Sequence, residues 1–93
     1  MDVDSAETIA TAALGFLAND VQRLRRFLAL TGLGPAELRA EAQSARILAA
    51  VLDYLLHDES LLLAFAANNG LEPELVRPAQ LLLAQHASVE GHS

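Results

Sequence analysis

The residues of this chain with metal-ligating chemistry are three histidines, His57, His86 and His92, and the carboxylates beside the first, Asp58 and Glu59. A divalent site needs imidazoles or carboxylates converging from separate elements. His57, Asp58 and Glu59 are instead consecutive, and Asp58 has the type and place of a helix N-cap. We therefore expect no metal and no cofactor. Nucleophilic catalysis has equally little to work with. The chain contains no Cys and no Lys. None of its serines (Ser5, Ser44, Ser60, Ser88, Ser93) has a histidine at a recognisable spacing, and there is no Gly-x-Ser-x-Gly elbow or glycine-rich phosphate loop. Glu72 and Glu74 lie in a turn and read as solvating charges. No catalytic residue is expected, and the protein reads as a non-enzyme. Arg23, Arg25 and Arg26 form the one basic cluster; without interleaved aromatics it reads as a solvated face paired with nearby acids.

The elements that must position these residues are helical. The 93 residues are 53% hydrophobic but only 4% aromatic, with leucine and alanine dominant. That composition favours helix over strand. One domain over residues 1–93 is expected, with no disulfide framework. A net charge of −6 weighs against nucleic acid. No apolar run approaches the length of a membrane span, and the acidic start does not read as a signal peptide, so a cytoplasmic protein is expected.

Helix punctuation is frequent. Asp4 or Ser5 can cap a first helix, with Glu7 completing a capping box from Asp4, and Ile9, Ala13, Phe16 and Leu17 form its apolar stripe. Asp20 caps a second helix striped by Val21, Leu24, Phe27, Leu28 and Thr31, which Gly32 ends as a left-handed residue. Pro35 opens a short third helix, roughly 35–42, with Leu38 inward. Ser44 caps a fourth, striped by Ile47, Leu48, Val51, Leu52 and Leu55. Asp58 caps a fifth that Gly70 ends, and Pro73 opens a sixth carrying Leu75, Val76, Ala79, Leu82 and Leu83. Pro78 predicts a kink or break near Arg77. The tail 87–93 has no apolar pattern and is expected to fray.

Shifted by 38 residues, the chain matches itself. Ile9 falls on Ile47, Leu17 on Leu55, Asp20 on Asp58, Phe27 on Phe65, Gly32 on Gly70, Pro35 on Pro73 and Arg39 on Arg77, among twelve identities between 9–39 and 47–77. The expectation is an all-α fold of about six helices, built as two pseudo-equivalent three-helix units (5–42 and 44–86) around one shared core. Asp20 and Asp58 are its caps, and Gly32, Pro35, Gly70 and Pro73 are structural turn residues. Residues 9–39 and 47–77 should superpose.

Phe27-Leu28-Ala29-Leu30-Thr31-Gly32-Leu33, with Leu48–Asp53 and Asp58–Ala66, resembles a bacterial family of short helical proteins common in alphaproteobacteria, domain-of-unknown-function family 3572. The resemblance spans roughly residues 5–80. It implies a compact, all-helical bacterial protein and brings no activity, cofactor or catalytic residue. Pro78 departs from the family's pattern, where a helix former is expected. Two weaker likenesses fail in detail. Asp58-Glu59-Ser60-Leu61 is similar to the Asp-Ser-Leu attachment site of acyl carrier proteins, but Glu59 intervenes and an apolar run follows. Ala66…Gly70…Val76 has helix-turn-helix spacing, but the would-be recognition helix carries Glu72 and Glu74 and is interrupted by Pro78.

The two halves differ most where Arg23, Arg25 and Arg26 fall opposite Leu61, Leu63 and Ala64. The fifth helix is thus apolar nearly all round, which means surrounded or part of an interface. We expect some of Leu61, Leu63, Leu81 and Leu82 to form a contiguous exposed patch for a protein partner or a second copy. The functional expectation is a protein-interaction module or adaptor. The alternatives are a helix-turn-helix-like nucleic-acid regulator and, behind it, a carrier of a small apolar ligand.

Overall fold

A computed structural model describes residues 1–90 and contains only helices and turns among them. The elements are α1 (Val3–Ala18), α2 (Val21–Thr31), α3 (Pro35–Ala40), α4 (Ala45–Leu56), α5 (Glu59–Asn68), a 3-10 turn (Pro73–Leu75) and α6 (Val76–Glu90). The fold is all-α with six helices.

Side-chain caps start four of the six. Asp20 accepts from the backbone N–H groups of Gln22 (3.0 Å) and Arg23 (3.4 Å), Asp58 from that of Leu61 (3.1 Å), and Ser44 from that of Ile47 (3.2 Å). Each satisfies a donor that the first helical turn leaves without an internal acceptor. The first helix departs from expectation. Its cap is Asp2, not Asp4 or Ser5, because Asp2 offers the same carboxylate two residues earlier and accepts from the Ser5 N–H at 2.8 Å. That hydrogen bond, with a further one from the Ser5 hydroxyl, holds the Asp2 carboxyl below the usual aspartate range.

Gly32 and Gly70 both adopt positive φ, 76° and 60°. In the two helices they end, the residue before the glycine donates its side chain to an equivalent carbonyl: the Thr31 hydroxyl to Phe27 O (2.7 Å) and the Asn69 amide to Phe65 O (3.1 Å). After Gly70 the Leu71 N–H also returns to Ala66 O at 2.9 Å, closing the turn that aims the chain at α6.

The core is a three-helix layer. α4 packs most extensively on α6, and both pack on α1. All five apolar residues of the expected α4 stripe are fully buried, as are Val76, Ala79 and Leu83 of α6 and Leu17 of α1. Much of the layer is alanine: Ala6, Ala10, Ala13 and Ala79 have no exposed surface. The α2 stripe is only partly enclosed. Phe27 is buried, Leu24 and Leu28 are half-buried, and Val21 is 63% exposed, because α2 flanks α1 and α4 and has no helix on its far side.

At the 38-residue offset, α1 and α4 end at equivalent positions, α2 and α5 start at equivalent positions, and the capping aspartates and positive-φ glycines correspond. Two ring contacts are also exchanged by the offset: Phe16 on Phe65, centroids 5.6 Å apart, and Tyr54 on Phe27, 5.3 Å apart. The correspondence ends after the prolines. Pro35 opens a six-residue helix that stops at Ala40, whereas Pro73 opens a 3-10 turn that runs into the 15-residue α6. The third element of each half is therefore a different structure.

α6 runs unbroken through Pro78, and the sixth segment expected from Pro73 changes from a 3-10 turn to α-helix before it, between Leu75 and Val76. The helix starts at Val76, so Pro78 stands in its first turn, where a missing N–H costs no internal hydrogen bond. Pro78→Ala should accordingly change the unfolding free energy by less than about 1 kcal/mol, against the ~3 kcal/mol of an interior proline; urea unfolding of the two proteins checks this. The helix also passes residue 86 and reaches Glu90, since Ala87 still packs against the core. Residues 91–93, the rest of the expected fraying tail, lie outside the described residues.

Candidate interaction surfaces

The two capping aspartates share a cleft. Asp20 and Asp58 line it, at about 150 Å³, with Gln22, Arg23, Arg26, Tyr54 and Leu61, so the N-termini of α2 and α5 both open onto it. Arg23 is tied down: its guanidinium lies 4.6 Å above the Phe16 ring, and its Nε is 3.7 Å from Asp20 Oδ2. Two carboxylates and two guanidinium groups leave the cleft without net charge. Both aspartates also occupy the helix-end N–H groups that would otherwise attract an anion. The arrangement is that of a paired helix start.

The other chemistry-bearing residues are dispersed. His57 Nδ1 is 2.8 Å from the Asp53 carbonyl and 3.7 Å from Asp53 Oδ1, on an exposed helix end. Among the described residues no three His, Asp or Glu side chains gather as a metal site would require. His92 lies outside the described residues. His86 lines a groove with Val3, Leu82 and Val89 at the far end of α6. Arg46 holds α3 to α4 through Glu37 and Glu41, each at 3.3 Å, and the hydrogen bonds it donates to Glu41 and Glu37 raise its pKa above the ordinary arginine value. In the helix-turn-helix-like segment, Glu72, Glu74 and Arg77 are all exposed.

The four leucines singled out in the sequence occupy three settings. Leu61 lines the cleft between the capping aspartates, and Leu82 lines the groove beside Val3. Both are half-buried against the core. Leu81 is 51% exposed, and its neighbours along the α6 surface are Arg77, Pro78, Ala84, Gln85 and Ser88, so no second exposed leucine stands beside it. Leu63 differs. It is 47% exposed, and its exposed neighbours on the helix are Ser60, Ala64 and Ala67, with the Glu59 carboxylate one turn before it. α5 packs chiefly on α4 and the 3-10 turn, and Phe65 and Ala66 are the only residues it buries fully. The helix is apolar all round and is not surrounded.

A surface the sequence reading did not single out runs along α1. Its exposed positions after Asp4 and Ser5 are Thr8, Thr11, Gly15 and Ala18, without a charge among them. The sequence signal was present: these four recur at helical spacing on the face opposite the buried alanines.

No curated protein and no solved structure matches the chain. A family model does, over residues 3–86, and its description is protein of unknown function (DUF3572). With that match covering nearly all of the folded helices, the chain belongs to the DUF3572 family.

Proposed function

We propose that this protein is a non-enzymatic helical interaction module, with the Leu63 face of α5 as a contact surface and a second copy as its first partner. The observation that carries the reading is α5 itself: a ten-residue helix that has apolar side chains on every face and leaves Leu63, Ala64 and Ala67 in solvent. Leu63, Ala64 and Ala67 carry no charge themselves, but Glu59 stands one turn before Leu63, and its repulsion between two copies weakens the contact. A leucine fully buried on association contributes about 1.5–3 kcal/mol before ordering costs, so association through this face is expected to be weak and concentration-dependent. In this reading the protein works in the cytoplasm and neither nucleic acid nor a membrane is its target; no described helix is long and apolar enough to cross one.

Light scattering across a concentration series tests it. The expected result is a mass that rises with concentration and returns to that of one chain in Leu63→Glu, with helicity unchanged. A single-chain mass at millimolar concentration, unaltered by Leu63→Glu, would overturn self-association through α5.

A further inference from the structure

α1 separates two grooves, and together they have the chemistry of a docking site. One side is acidic: Asp4, Glu7, Thr11 and Gln43 line an open groove of about 610 Å³. The other is apolar: half-buried Ile9 and Leu71 line a groove of about 230 Å³ between α1 and the end of α5, above the buried Phe65 ring and with Asn69 at its edge. Thr8 and Ala12 line both. The ridge between the grooves is therefore made of short side chains, and one bound element can reach both sides of it. Among the described residues neither Asp4 nor Glu7 has an ion-pair partner, and no Arg side chain lines either groove. At the 38-residue offset Thr8 falls on Arg46, which is held between Glu37 and Glu41.

We propose that this double groove binds a basic amphipathic helix of a partner protein, laid along α1 with its apolar stripe toward Ile9, Ala12 and Leu71 and its cations toward Asp4 and Glu7. Charge selects the occupant. The acidic side leaves two carboxylates unpaired, and the chain's net charge of −6 draws a cationic segment and repels an acidic one. Helix-in-groove recognition needs an apolar trough for the anchors and a charged rim that fixes orientation, and α1 supplies one on each flank. The proposal shares with the α5 reading only the idea of an interaction module. A protein that self-associates through Leu63 and ignores a basic helix refutes this proposal alone.

The probe is a synthetic lysine–leucine amphipathic helix of about four turns, with a glutamate–leucine peptide of the same pattern as control, followed by fluorescence anisotropy at physiological salt to suppress unspecific attraction. The expected result is binding of the lysine peptide and none of the glutamate peptide. Asp4→Asn with Glu7→Gln should weaken binding about tenfold, as loss of two rim contacts implies. Asp53→Asn with Glu59→Gln, which changes the net charge equally at another place, should leave it unchanged. Thr8→Arg, an exposed substitution that fills the ridge, should abolish binding while circular dichroism stays native. No binding of the lysine peptide, equal weakening by both charge-neutralising pairs, or native affinity in a folded Thr8→Arg protein would each overturn the proposal. If Thr8→Arg fails to fold, the two charge pairs decide it.

Discussion

Phe65→Ala and Phe27→Ala are each expected to lower the unfolding free energy by about 3–5 kcal/mol, the usual cost of deleting a buried phenylalanine ring. Both rings are fully buried. Each also makes an aromatic contact that ties one half of the chain to the other: Phe65 to Phe16 at 60° between ring planes, Phe27 to Tyr54 at 79°. Tilted and edge-on pairs add about 0.5–1.5 kcal/mol beyond their buried area. A domain of this size has only about 5–15 kcal/mol in total, so either substitution removes about a fifth of it or more. Urea unfolding followed by circular dichroism measures the loss. A cost below about 1 kcal/mol at either position would mean that the ring is not an anchor and that the site collapses around the gap. Since the two contacts are exchanged by the 38-residue offset, similar costs are expected for the two substitutions.

Helix ends were legible in the sequence because they are local. A carboxylate or hydroxyl within reach of free N–H groups, or a glycine that can take positive φ, acts through residues three or four apart. Asp20, Ser44, Asp58, Gly32 and Gly70 all do what their types and places imply. Asp2 was missed in favour of Asp4 because several adjacent residues offer the same cap, and only the backbone's path selects among them. Burial was less legible. Periodicity shows which face of α2 is apolar but not how many helices stand against it, so Val21 carried the same weight as Phe27 and emerged exposed. Of the fully buried alanines of α1, Ala13 stands in the expected stripe, whereas Ala6 and Ala10 fall outside it for the opposite reason. A small side chain adds little to an apolar stripe, yet it lets neighbouring helices approach closely. For the candidate surfaces, the asymmetry between Arg25 and Leu63 was visible at the 38-residue offset and led to α5. Leu81 and Leu82 did not join it, because whether two apolar helices share a surface depends on their packing, and α5 packs on α4 and the 3-10 turn.

A chain ending at Leu75 is expected not to fold. The match between the halves at first suggests the opposite, since such a chain keeps both helix pairs, both caps and both aromatic contacts. It loses α6, for which the first half has no counterpart. α3 is six residues long and fully buries only Leu38, whereas α6 fully buries Val76, Ala79 and Leu83 and covers both α4 and α1. The valine and leucine alone account for about 3–6 kcal/mol of burial. The apolar faces of α1 and α4 that lie under α6 would enter water as well, and the total matches or exceeds what a small domain has in reserve. The truncated protein should show reduced helicity by circular dichroism and no cooperative urea transition, while the full chain unfolds in one step. Native helicity with a cooperative transition in the truncated chain would locate the core in α1, α2, α4 and α5, and would make α6 an appendage to two equivalent helix pairs. The full burial of its inner face argues that α6 is the third wall of the core, and that the second half of the chain could not match the first throughout and still close the fold.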